Sequence, residues 1–159
     1  SSTEKAGLDL NEAIQEVVSL VEGEIQKSGV ALQMELATDL PQILGDRVQL
    51  QQVILNLVMN GIEALSPVTD RSRNLFIRSC QYESDRVLIA VQDSGIGLET
   101  ESFDHLFEAF FTTKPKGMGM GLAISRSIVE THGGRLWATS GPQGAVFHLE
   151  LPPLKEGTP

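Results

Sequence analysis

Apolar residues recur at three- and four-residue intervals along three stretches of the chain and at alternate positions along several others, which places helices and strands before any single residue is interpreted. The clearest helical run is Leu50 to Leu65, where Leu50, Val53, Ile54, Leu57, Val58, Ile62 and Leu65 form one stripe and Asp46 stands ahead as a good N-cap. A second begins at Asn11, read as its N-cap, carries Ile14, Val17, Val18, Val21 and Ile25 on one face, and ends near Ser28-Gly29. A third runs from Leu122 to Thr131 and stops at His132-Gly133-Gly134, with glycine where a left-handed residue closes a helix. A short helix is expected around Glu101 to Leu106.

Between the helices, residues 30–36 alternate, with Val30, Leu32, Met34 and Leu36 on one side and Gln33 and Glu35 on the other: a strand with one wet face. Leu75 to Gln81 and Val87 to Asp93 form a hairpin about Glu83-Ser84-Asp85, and the second strand is apolar on both faces and therefore central. A final hairpin pairs residues 135–140 with 145–151 across Gly141-Pro142-Gln143-Gly144, with Phe147, Leu149 and Leu151 facing in. The expected fold class is α+β: a two-layer sandwich, helices on one face of a mixed, mostly antiparallel sheet. Residues 1–7 read as a flexible lead-in, 8–153 as one domain and 154–159 as a loose tail; residues 66–73 and the glycine-rich run from Phe107 to Gly121 read as loops, the latter mobile.

At 159 residues and 41% hydrophobic content, one core suffices. The net charge of -9 argues against nucleic acid or a membrane surface as partners, so an anionic ligand must be held locally. The single cysteine, Cys80, fits a reducing compartment. No basic start precedes an apolar run, and no apolar stretch is long enough to cross a bilayer. The chain reads as cytoplasmic, or as the cytoplasmic part of a larger sensor.

The polar face of the Leu50–Leu65 helix stacks Gln52, Asn56 and Asn60 in a column, with Glu63 beyond. Asparagine is a mediocre helix former, so the column calls for a reason, whether solvation or chemistry. Asp93-Ser94-Gly95-Ile96-Gly97 follows the central strand: either a structural turn, or a carboxylate at the mouth of the core that accepts from an exocyclic amine while glycine lets backbone close on a flat ring. Gly117-Met118-Gly119-Met120-Gly121 precedes a helix, where backbone N–H groups suit an anion, though a flexible linker reads equally well. Lys114 and Lys116 add positive charge just upstream.

Taken in order, these segments resemble the catalytic and ATP-binding domain of sensor histidine kinases: the N box from Asn56 to Asn60, the G1 box from Asp93 to Gly97, the F box from Phe107 to Phe111 and the G2 box from Gly117 to Gly121. The wording from Glu108 to Gly134 is similar to the nitrogen- and oxygen-sensing group. The resemblance implies the Bergerat fold, with an ATP lid, shared with gyrase-type topoisomerases, large heat-shock chaperones and mismatch-repair ATPases. It implies ATP and Mg²⁺ as cofactors: Asp93 on the adenine amine, Asn60 on Mg²⁺, Asn56 reaching the phosphates or a metal-bound water, and Gly95 and Gly97 shaping the adenine pocket. Lys114 would meet the terminal phosphate, with Gly117, Gly119, Gly121 and the adjoining Leu122 around the phosphate chain. Ala109 and Met118 depart from the proline and threonine often found there.

Hydrolysing relatives carry a base-forming glutamate where this chain has Asn56, which cannot take a proton from water. The implied activity is therefore phosphoryl transfer to a histidine on a separate dimerisation and phosphotransfer domain, and indirectly to a response regulator, with an ATPase conformational switch or a non-catalytic nucleotide-sensing module as the alternatives. None of His105, His132 and His148 is followed by the acidic residue that such a histidine carries, so the acceptor hairpin is expected ahead of Ser1.

Overall fold

In chain order the structure, a computed structural model that describes residues 5–95, 121–141 and 144–154, runs β1 (Ala6–Leu8), α1 (Leu10–Lys27), β2 (Ala31–Leu36), β3 (Ile43–Gly45), α2 (Arg47–Leu65), β4 (Asn74–Tyr82), β5 (Arg86–Asp93), α3 (Gly121–Thr131), β6 (Arg135–Gly141) and β7 (Gly144–Leu151). The main sheet has the order β2-β4-β5-β7-β6, with β5 central as its two-sided apolar sequence requires. Three of its four pairings are antiparallel; β2 runs parallel to β4, because α2 carries the chain between them. The short helix expected near residue 101, the lid and the Pro142-Gln143 turn lie outside the described residues.

Alternate residues of the central strands turn under the helices. Leu75 and Ile77 of β4, Val87, Ile89 and Val91 of β5, and Phe147, Leu149 and Leu151 of β7 are buried there. The α2 stripe meets them, with Leu50, Val53, Ile54, Leu57, Val58, Ile62 and Leu65 all buried. Fully burying each such side chain is worth about 1.5–3 kcal/mol. α2 lies between α1 and α3, over β4 and β5, and is the centre of the helical layer.

Helix ends follow local chemistry with one correction. Asp46 caps α2 by accepting the Gln49 N–H at 3.1 Å. For α1 the cap is Asp9, two residues before Asn11: its Oδ1 accepts the Asn11 N–H at 2.9 Å and the Glu12 N–H at 3.4 Å. Asn11 is drawn into a longer-range network, donating to Ala37 O at 2.7 Å and accepting from Ser79 Oγ at 2.7 Å, which ties α1 to β2 and β4. Both α1 and α3 end in the glycine stop read from the sequence: Gly29 and Gly133 have φ of +66° and +77°, and the next N–H closes back on Ile25 O and Val129 O.

Two readings are corrected at the edges. Ala6 and Gly7 do not belong to a loose lead-in; they pair antiparallel with Leu44 and Gly45 in a two-stranded ribbon, β1 with β3. Strands of three residues are too short for alternation to reveal. Met34, read as facing in, is 42% exposed, on a β2 that is an edge strand paired on one side alone. In the tail, the Leu154 N–H is held by Gln42 O at 2.7 Å.

The opposite face of the sheet is half-exposed and carries its own ladder. Trp137 of β6 and His148 of β7 are cross-strand partners and stack at 5.0 Å between centroids, with Arg135 over the indole at 4.3 Å. His148 lies 3.1 Å from Thr139 Oγ1 through Nε2, while its Nδ1 is buried without a hydrogen-bond partner among the described residues. Burial lowers the pKa of the ring from its ordinary 6.5. A histidine whose folded pKa is depressed favours the folded state fully above the unfolded value and loses that contribution as pH falls through the folded one. Thermal melts of wild type and His148→Gln should therefore converge in slope above pH 6.5, with wild type falling more steeply below it. Parallel melting curves across that range would show that the ring is not held neutral.

Candidate functional site

Two polar segments converge on α2, one from the sheet and one from α3. Asp93 ends β5 and is only 3% exposed; its Oδ1 accepts the Gly95 N–H at 2.9 Å and lies 3.5 Å from the Ala145 N–H. Such burial of a carboxylate is tolerated when backbone donors meet it. Glycines make room on each side. A Cβ on Gly95 would stand 2.8 Å from Ala64 O, one on Gly61 2.5 Å from Leu75 Cδ1, and one on Gly144 1.9 Å from Asp93 O. Turn and hairpin thus pack closely around Asp93, with α2 directly behind them.

The turn after Asp93 is fixed from the α2–β4 loop. Ser94 pairs with the Asn74 backbone twice, its N–H donating to Asn74 O at 3.0 Å while its side-chain Oγ accepts the Asn74 N–H at 2.9 Å. Arg71 spans the turn, donating to Ser94 O at 3.2 Å and to Gly95 O at 3.0 Å. Arg71 carries no sequence signal for this, since residues 66–73 read only as a loop.

Farther along the same wall, Asn56 and Asn60 sit half-buried on successive turns of α2. Asn56 Nδ2 donates to Ser125 Oγ at 3.0 Å and to Gly121 O at 3.4 Å, joining the column to the first turn of α3. No acidic residue stands in that turn, so the helix N-terminus keeps its positive end. Asn56 and Gly61 are separated by five residues, about 7.5 Å along the axis. Of the residues singled out from the sequence, Asn56, Asn60, Asp93, Gly95, Gly121 and Leu122 are gathered around α2. Gly97, Lys114, Gly117 and Gly119 lie outside the described residues, as does the segment from Phe107 to Phe111.

A buried acceptor and a column of amides on one helix, faced by the N-terminus of another, coincide with a known family. Residues 45–155 match the histidine kinase-, DNA gyrase B- and HSP90-like ATPases. The chain belongs to this family. Within it the relatives are sensor kinases: it is 40% identical to the sensor histidine kinase TmoS of Ectopseudomonas mendocina, over 91% of this chain and 15% of that protein. It is 39% identical to the sensor protein FixL of Bradyrhizobium diazoefficiens, over 97% and 30%. The chain therefore spans less than a third of either relative's length. The nucleotide-free catalytic domain of histidine kinase ThkA superposes with a TM-score of 0.81 at 35% identity, covering 94% of this chain and 96% of that one. ThkA in complex with the response regulator protein TrrA gives 0.80 at 32%, covering 97% and 43%. The ATPase-family fold expected from the sequence is thus present, and the helix that carries the asparagines is its central helix.

Proposed function

We propose that the chain binds Mg-ATP and donates the γ-phosphoryl group to a histidine on a separate helical domain, in a cytoplasmic two-component pathway that ends on a response regulator. The donor set fits such a ligand. Asp93 offers a buried, oriented oxygen to an exocyclic amine, and Asn56 and Asn60 offer neutral amide oxygens of the kind Mg²⁺ accepts alongside water. When bound, the metal would neutralise charge on the phosphates; the protein's part is to hold and orient.

The single observation that carries the reading is Asn56. It occupies the turn of α2 opposite the start of α3, and an amide there cannot take the proton of an attacking water. Glu63 lies exposed on a later turn. The two described histidines are engaged in packing: His132 Nε2 accepts the Asp46 N–H at 3.1 Å while Nδ1 meets Ile128 O at 2.8 Å, and His148 stacks on Trp137. Neither is presented for phosphorylation, which favours an acceptor elsewhere. Support for the nucleotide comes from the ATPase family, and for the pathway from the sensor kinases that the chain resembles.

The test is to incubate this chain with radiolabelled ATP and candidate acceptor hairpins, and to measure phosphate release without them. Label should move to a histidine of the cognate hairpin, while the chain alone releases phosphate far more slowly than typical enzymes, which turn over roughly once per second or faster. Rapid release by the chain alone would replace this reading with an ATP-driven switch.

A further inference from the structure

The orientation of the Asn56 amide can be read from what it faces. Gly121 O is a carbonyl and can only accept, so the side of the amide turned toward α3 is the nitrogen, which removes the ambiguity between Oδ1 and Nδ2. Ser125 Oγ, 3.0 Å away, takes the stronger of the two bonds. Both amide protons are thereby directed at α3, and Oδ1 accepts no hydrogen bond among the described residues. Ser125 is fully buried inside a helix, where serine is a poor choice on propensity and alanine would fill similar space. It follows Gly121 by four residues and so lies on the same side of α3, one turn along.

We propose that Ser125 is a positioning residue that holds the Asn56 nitrogen toward α3, so that Asn56 meets its ligand as an acceptor through Oδ1. The proposal rests on the Mg-ATP reading and decides between the two roles open to Asn56. Phosphate oxygens are acceptors and repel Oδ1; water molecules bound to Mg²⁺ are donors and suit it. Asn56 then contributes to the magnesium-dependent part of nucleotide affinity and little to the rest.

The experiment combines two readouts on wild type, Ser125→Ala and the nearly isosteric Ser125→Cys, whose thiol is a weaker acceptor. In ¹⁵N-labelled chain without nucleotide, the Asn56 side-chain amide signals should shift, and their protons exchange faster, in Ser125→Ala, with Ser125→Cys between. The affinity for the non-hydrolysable analogue adenylyl imidodiphosphate is then measured in magnesium and in EDTA. In Ser125→Ala the gain given by magnesium should shrink roughly three- to tenfold, the loss of about one hydrogen bond, while affinity in EDTA stays level. Unmoved Asn56 amide signals, or an equal loss in magnesium and EDTA, overturns the proposal. Failure of the Mg-ATP reading looks different, since wild type itself would then bind the analogue equally in magnesium and EDTA.

Discussion

Asp93→Asn should lower the affinity of the chain for ATP roughly ten- to a hundredfold, with the fold intact. The magnitude follows from losing a charge-assisted hydrogen bond in a dry site, about 1.5–3 kcal/mol, at about 1.4 kcal/mol per factor of ten. The structure makes asparagine the informative substitution. Oδ1 of Asp93 is already committed to the Gly95 and Ala145 N–H groups, and the carbonyl oxygen of asparagine can keep those bonds. Alanine would remove the same acceptor from the turn and from β7, so a loss of binding there would mix two causes. Isothermal calorimetry with a thermal melt separates them: lower affinity at an unchanged melting temperature is the expected pair. Unchanged affinity would place the adenine elsewhere.

Gly144→Ala should have the larger effect on stability, about 3 kcal/mol or more. Its φ of +121° is a conformation that L side chains rarely adopt, and the new Cβ would stand 1.9 Å from Asp93 O and 3.1 Å from Gly95 N. Those atoms are backbone and cannot rotate aside. Either β7 retreats from the end of β5 or the turn bearing Asp93 opens, and both take the carboxylate out of position. Gly29→Ala is the matched control: φ is +66°, but nothing lies within 4 Å of the new Cβ, so its cost is conformational alone, about 1 kcal/mol. Denaturant midpoints for the two variants should differ accordingly, and nucleotide affinity should fall only for Gly144→Ala. Equal midpoints would mean that the hairpin does not close on Asp93.

Much of this arrangement was legible because its causes are local and repeated. The stripe from Leu50 to Leu65 recurs through more than four turns, so the helix and its buried face follow from period alone; the Asp46 cap and the glycine stops at Gly29 and Gly133 depend on neighbours a few residues away. The central place of β5 follows from a strand apolar on both sides. The ribbon of β1 with β3 is too brief to show in the pattern, and Asn11 looks like a cap by position alone because its true partners, Ala37 and Ser79, are distant in sequence. In the site, Asn56, Asp93, Gly95 and Gly121 stand out as residue types unusual for their elements. Ser125 does not, since one serine in an amphipathic helix is ordinary until the helix opposite it is known. Arg71 likewise takes its meaning from the two carbonyls it bridges.

The stack of Trp137 on His148 gives the molecule a built-in optical reporter. Trp137 is the single tryptophan of the chain, so all indole emission originates on the half-exposed face of the sheet, away from the carboxylate and the asparagines. A neutral imidazole at 5.0 Å leaves the excited indole largely undisturbed, whereas an imidazolium withdraws an electron from it and quenches. Emission intensity therefore follows the charge on one ring during acidification, and its wavelength follows separation of β6 from β7 during unfolding. Added nucleotide, which absorbs at shorter wavelength than the indole's red edge, leaves that signal readable while the opposite layer is occupied.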